Sequence, residues 1–99
     1  MKISRTAQVG TPDASDIMVM VSPNDKGGVK LEIQSKPVVM KQFGRHIEEV
    51  IRQKVEEMGV TDIVIKAKDN GALDYVIRAR LQAAIEKAVF VYDKFYTKG

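Results

Sequence analysis

Ninety-nine residues suffice for one modest hydrophobic core and are too few for two, so the chain reads as a single domain over 1–99. With 44% hydrophobic and 29% charged residues it matches globular averages, and having no cysteine it lacks disulfides, thiolate nucleophiles and thiolate metal sites. Sixteen Lys and Arg against thirteen Asp and Glu give a formal charge of +3 with the two signs interleaved, not the basic stripe or interspersed aromatics expected of a nucleic-acid binder.

The first stretch, 1–16, contains the one segment that does not read as scaffold. In Gly10-Thr11-Pro12-Asp13-Ala14-Ser15-Asp16, Gly10 and Pro12 break regular structure. Asp13, Ser15 and Asp16 favour turns by bonding to their own backbone, so a hydroxyl here is expected to be exposed. The plain structural alternative is that Ser15 and Asp16 only close a turn and open a strand. Met1-Lys2-Ile3-Ser4-Arg5 lacks the apolar run of a secretory signal, and no apolar stretch is long enough to cross a bilayer. These features imply a cytoplasmic protein with neither nucleic acid nor membrane as partner.

Ile17-Met18-Val19-Met20-Val21 is the first predicted strand, closed by Ser22-Pro23-Asn24-Asp25. After Lys26-Gly27-Gly28, the residues Val29 to Gln34 alternate strictly, with Val29, Leu31 and Ile33 on one face, and predict a second strand paired antiparallel with the first. The glycine pair is read as turn chemistry and not a phosphate cradle, because no Gly-Lys-Ser/Thr follows it. Ser35 is the predicted cap and Pro37 a first-turn residue of an amphipathic helix. Its buried stripe is Val39, Phe43, Ile47, Val50, Ile51, Val55 and Met58, and Gly59 ends it. Thr61 to Ala67 is a third strand, stopped by Asp69-Asn70-Gly71, where Asn70 or Asp69 caps a long last helix. Leu73, Val76, Ile77, Leu81, Ala84, Ile85 and Ala88 form the inner stripe of that helix. Residues 90–99, with Phe90, Tyr92, Phe95 and Tyr96, leave three readings open: an extension of this helix, a segment folded back on the body, or a loose C-terminus that meets a partner.

The order strand, strand, helix, strand, helix predicts an α+β two-layer sandwich: a three-stranded sheet with two helices on one face. A crossover through the first helix makes the third strand parallel to the one it joins. The other face stays open, with Met18, Met20 and Val64 pointing the same way as Lys30, Glu32 and Lys66. Methionines in such a patch suit adaptable protein docking, so Met18, Met20 and Val64 are the candidate partner-docking residues. One histidine without cysteine predicts no metal site, and His46 is placed at the boundary of the apolar helix face. No Ser/His/Asp or paired-carboxylate arrangement can be assembled, so no catalytic residues are assigned. Polar residues without a pocket describe a module that is bound or acted upon.

Four stretches carry a resemblance to a known family: Met1-Lys2-Ile3, the segment from Gly10-Thr11 to Asp16-Ile17-Met18, Lys41-Gln42-Phe43-Gly44, and the long run Asp69-Asn70-Gly71-Ala72-Leu73-Asp74-Tyr75-Val76-Ile77-Arg78-Ala79-Arg80-Leu81. Over almost its full length the chain resembles the acyl carrier protein (gamma subunit) of citrate lyase. The resemblance implies a non-catalytic subunit of a bacterial complex that cleaves citrate to acetate and oxaloacetate, with the alpha and beta subunits and a prosthetic-group transferase as partners. It also implies a 2'-(5''-phosphoribosyl)-3'-dephospho-CoA group joined to a serine by a phosphodiester. The terminal thiol of that group carries acetyl and then citryl, which accommodates a chain without cysteine. The family's serine lies two residues before the Asp that opens the first strand, and so falls on Ala14, which has no hydroxyl. Either the attachment moves to Ser15, or the chain is a paralogue without cofactor, or Ala14 replaces a native serine. The third is the expectation taken forward, with Ser15 as fallback acceptor and Gly10, Asp13 and Asp16 as the flanking motif. The alternative function is a cofactor-free binding module docking through the open sheet face.

Overall fold

The computed structural model describes residues 1–98, and side chains over 1–89. The elements in chain order are β1 (Ala7–Val9), β2 (Ile17–Pro23), β3 (Val29–Gln34), α1 (Pro37–Glu57), β4 (Ile63–Asp69) and α2 (Asp74–Lys98). The four strands form one sheet in the order β1-β2-β4-β3. β1 and β4 each run antiparallel to β2, whereas β3 runs parallel to β4. α1 packs over β3 and against α2, which itself lies over β1 and β2, so both helices cover the same face. Among the described residues no helix is long and apolar enough to cross a membrane.

The α+β class, the two helices on one face and the parallel β3-α1-β4 unit agree with the sequence reading, and three details differ. The sheet has a fourth strand, β1, within the stretch expected to be exposed, and Ile3 and Ala7 in that stretch are buried at 3% and 5% exposure. A three-residue strand with one inward apolar residue carries too little alternation to stand out in sequence. β2 and β3 do not form the expected hairpin, because β4 lies between them. The connection must therefore cross two strand spacings, about 10 Å. The loop Asn24–Gly28 does this, held by Asn24 Nδ2 donating to the Gly27 and Gly28 carbonyls at 3.1 and 3.0 Å. It is pinned to the entry of β4 by the Gly28 N–H on Asp62 Oδ1 at 2.8 Å. The expected caps also differ. Ser35 Oγ donates to Asp69 Oδ2 at 3.2 Å instead of capping α1, whose N-cap is Lys36 with Pro37 following. Asp69 accepts the Gly71 and Ala72 N–H groups at 3.1 and 3.0 Å, shaping the turn into α2.

Alternation decides the core. Ile17, Val19 and Val21 of β2 and Ile63, Ile65 and Ala67 of β4 point under the helices and are at most 3% exposed. They meet Ile47, Ile51 and Val55 of α1 and Ile77, Leu81 and Ile85 of α2. Each large side chain buried this way contributes about 1.5–3 kcal/mol. Phe43 and Leu73, placed by helical periodicity in the inner stripes, are instead 53% and 60% exposed. The first fully buried residue of α1 is Gly44; Val39 in the opening turn packs against the core at its margin, while Phe43 is left outside.

Candidate attachment site

The antiparallel register sets Ile17 opposite Asp69, and the parallel register sets Gln34 beside Lys68. The start of β2 and the ends of β3 and β4 therefore share one end of the sheet. Both helices also begin there, α1 at Pro37 and α2 at Asp74. The segment Gly10–Asp16 closes this end.

Residues 11–16 form a compact turn and not the extended run that strand-like alternation would assume. The Asp16 N–H donates to the Asp13 carbonyl at 3.3 Å, so Ala14 and Ser15 occupy the two corners of a four-residue turn. Both corner residues are exposed. Ser15 has φ 64, in the left-handed region where a side chain is disfavoured. Asn70 holds the turn from behind. Its carbonyl accepts the Ser15 N–H at 2.8 Å, its N–H donates to the Asp16 carbonyl at 2.9 Å, and its Nδ2 donates to the Pro12 carbonyl at 2.9 Å. Gly10 enters the turn with φ 105, its α-carbon directed at the Ile17 carbonyl.

The base of the turn is a charge clamp. Arg80 of α2 donates from Nε to Asp16 Oδ1 at 3.0 Å and from Nη2 to Oδ2 at 2.8 Å, a two-point bond. Thr11 Oγ1 donates to the same Oδ2 at 2.6 Å, and the Ile17 N–H to Oδ1 at 2.7 Å. The Arg80 guanidinium first, then the Thr11 hydroxyl and the Ile17 N–H, hold the Asp16 carboxyl well below the usual carboxylate range, against the opposing cost of burial. In return Asp16 raises the pKa of Arg80. Because the folded value is depressed, the stability contributed by Asp16 is complete above the unfolded carboxylate's pKa of about 4 and is lost as pH falls below it. Melting temperatures measured from pH 6 down to pH 2 are expected to fall less steeply for Arg80→Gln than for the parent. Parallel curves would mean that the clamp adds nothing.

Of the residues expected at the site, the fold brings Gly10, Asp13, Ala14, Ser15 and Asp16 together in this turn. Met18, Met20 and Val64 lie half-buried on the open face. Gln8, Met18, Met20, Glu32, Lys66 and Lys68 line a shallow groove of about 260 Å³ there. Sequence reasoning missed Thr11, Asn70 and Arg80 as parts of the site. Arg80 sits 64 residues from Asp16 in a helix that reads as amphipathic scaffold, so no local pattern marks it. His46, expected at the boundary of the helix face, is exposed and bonds Asp74 through Nε2 at 2.7 Å, tying the start of α2 to the middle of α1.

Residues 4–88 match the acyl carrier family described as malonate decarboxylase delta subunit. The chain is 47% identical to the citrate lyase acyl carrier protein of Halothermothrix orenii over 89% of its own length and 90% of that protein's. It belongs to the citrate lyase acyl carrier protein family. Within this family it is also 43% identical to the protein of Vibrio cholerae, covering 94% of this chain and 93% of that one. Its fold is shared with a chain in the crystal structure of a Pseudomonas malonate decarboxylase hetero-tetramer in complex with malonate. The TM-score is 0.64 at 20% identity, covering 87% of this chain and 86% of that one. Membership fits an acyl carrier role for the chain.

Proposed function

We propose that this chain is the acyl carrier subunit of citrate lyase, a scaffold without catalytic residues that presents a 2'-(5''-phosphoribosyl)-3'-dephospho-CoA group from the Asp13–Asp16 turn. The observation that carries this reading is an exposed two-residue corner held rigidly from behind, by Asn70 on the backbone and by Arg80 through Asp16. A phosphodiester needs a free hydroxyl on that corner. Thr11 Oγ1 is engaged with Asp16, so the corner as it stands offers only the Ser15 hydroxyl, and position 14 offers one only with serine in place of Ala14. When attached, the group supplies a terminal thiol that holds acetyl and citryl as thioesters. The chain's part is to fix the origin of the arm while the alpha and beta subunits act on its tip. Tethering presents the acyl group at about millimolar effective concentration.

Ala14 itself favours a second reading, a cofactor-free binding module that docks through the open sheet face. Intact mass separates the two after co-expression of Ala14→Ser with the prosthetic-group transferase. Gain of the group's mass supports the carrier, and a bare chain supports the module.

In the carrier reading, the open face with Met18, Met20 and Val64 assembles with the larger subunits, since the groove is too open to enclose an acyl group by itself. Changing Met18 and Met20 together to Lys is expected to leave folding stability within about 1 kcal/mol, because both side chains are only half-buried. The same change should weaken assembly by at least about tenfold, read by analytical size exclusion with the partner subunits. Unfolding of the variant would instead place the methionines in the core.

A further inference from the structure

Five large apolar side chains are exposed among the described residues: Met1, Val38, Phe43, Leu73 and Tyr75. Four of the five sit at the openings of α1 and α2, at the same end of the molecule as the attachment turn. Phe43 is 53% exposed, Leu73 60% and Tyr75 70%, and the His46–Asp74 pair, three residues on from Phe43 and between Leu73 and Tyr75, joins the start of α2 to the middle of α1. Single exposed apolar residues are ordinary on a monomer, but a group concentrated beside one feature marks a docking surface. The fold supplies no other use for them, since Phe43 and Leu73 contribute nothing to the core that their periodicity suggested.

The opening of α1 is cationic. Lys36, Lys41 and Arg45 are exposed and join no ion pair among the described residues. Among the acids at this end, Asp16 is paired with Arg80 and Asp74 is hydrogen-bonded to His46, while Asp13 of the turn joins no ion pair among the described residues. A partner with apolar pockets rimmed by carboxylates is complementary to this surface.

We propose that this end of the molecule, with Phe43, Leu73 and Tyr75 as anchors, docks the phosphoryl-transferring enzyme that loads the turn; the proposal rests on the attachment reading above. A subunit that acts on the tip of a long arm can bind anywhere within the arm's reach. The loading enzyme cannot, because it forms its bond at the corner hydroxyl itself. The serine oxygen bonds the donor's phosphorus, the donor's phosphate leaving group departs, and the hydroxyl proton passes to a base of that enzyme. In-line displacement requires the turn to lie inside its active site, so the surface beside the turn must be covered during transfer. A second copy of the chain seated here would shut the turn off from any enzyme.

The test uses the Ala14→Ser chain and the purified prosthetic-group transferase, with affinity read by biolayer interferometry and transfer by the initial rate of mass gain. Adding Phe43→Ser and Tyr75→Ser is expected to weaken binding about tenfold or more and to raise KM by the same factor with kcat preserved. The melting temperature should hold, because both side chains lie outside the core. Glu56→Ser, exposed at the far end of α1, should match the parent. Binding should weaken as salt is raised, reflecting Lys36, Lys41 and Arg45. Equal affinity and KM with and without the two aromatic side chains would overturn the docking proposal while leaving the attachment reading intact. Light scattering that finds a dimer abolished by the same substitutions would also overturn it, in favour of self-association. If Ala14→Ser neither binds the transferase nor gains mass, the attachment reading falls, and the docking proposal falls with it.

Discussion

Replacing Gly10 by Ala is expected to cost about 3–5 kcal/mol of folding stability, a large part of the 5–15 kcal/mol typical of a domain. Two effects add. At φ 105 the backbone lies where a side chain is strained, and a β-carbon there would stand 1.9 Å from the Ile17 carbonyl oxygen. That oxygen belongs to the first residue of β2, whose register against Asp69 is fixed by the sheet, so it cannot retreat cheaply. The chain must move at Gly10 instead, pulling Thr11 away from Asp16 and loosening the clamp. Urea unfolding of the two chains measures the difference directly. A loss below about 1 kcal/mol would show that the segment before β2 relaxes freely and that Gly10 is not a fixed point of the turn.

The second large effect is all-or-none. The sequence as it stands is expected to remain unmodified in the presence of the transferase, Ala14→Ser to become fully modified, and Ala14→Ser with Ser15→Ala to behave like Ala14→Ser alone. The two corners of the turn are not equivalent. Ser15 is in the left-handed region with its N–H held by the Asn70 carbonyl, so its side chain leaves the backbone in a direction set by a different pair of dihedrals from those at position 14. A hydroxyl moved by one residue is therefore presented along another line, and in-line attack tolerates little misdirection. Peptide mass mapping of the three chains reads the site. The prosthetic group on Ser15 of the unaltered chain would move the attachment by one residue and overturn the assignment to position 14.

Where the sequence was legible, one physical pattern dominated. Strict alternation over Val29 to Gln34 and the run Ile17 to Val21 located β3 and β2 and placed Met18, Met20 and Val64 on the open face. Helical spacing located both helices, but not how far each projects beyond the core. That depends on how the helices seat on the sheet, which no local pattern encodes, so Phe43 and Leu73 were assigned inward and emerged exposed. Strand pairing was not legible for a related reason. A loop with two glycines suits a hairpin as well as a two-strand crossing, and the choice is made by β4, which arrives 34 residues after β3 begins and inserts between β2 and β3. The turn residues Gly10 to Asp16 were visible as a break in pattern. Asn70 and Arg80, which give that break its shape, lie in the run that carries the family resemblance, but nothing in their local pattern points to a turn more than fifty residues earlier.

Three of the contacts that shape the Asp13–Asp16 turn come from Asn70, at the exit of the central strand, and the clamp beneath it comes from α2. When the first sixteen residues leave the ribosome, nothing yet exists to hold that corner. The rest of the sheet must form and β4 must insert between β2 and β3 before the Ser15 N–H finds its acceptor. Parallel pairing through a long crossover is among the slower steps open to a small domain. The corner thus acquires its shape as one of the last products of folding, although it is among the first residues made. An enzyme that reads the shape of the turn, and not its sequence alone, would load finished molecules and pass over nascent or misfolded ones.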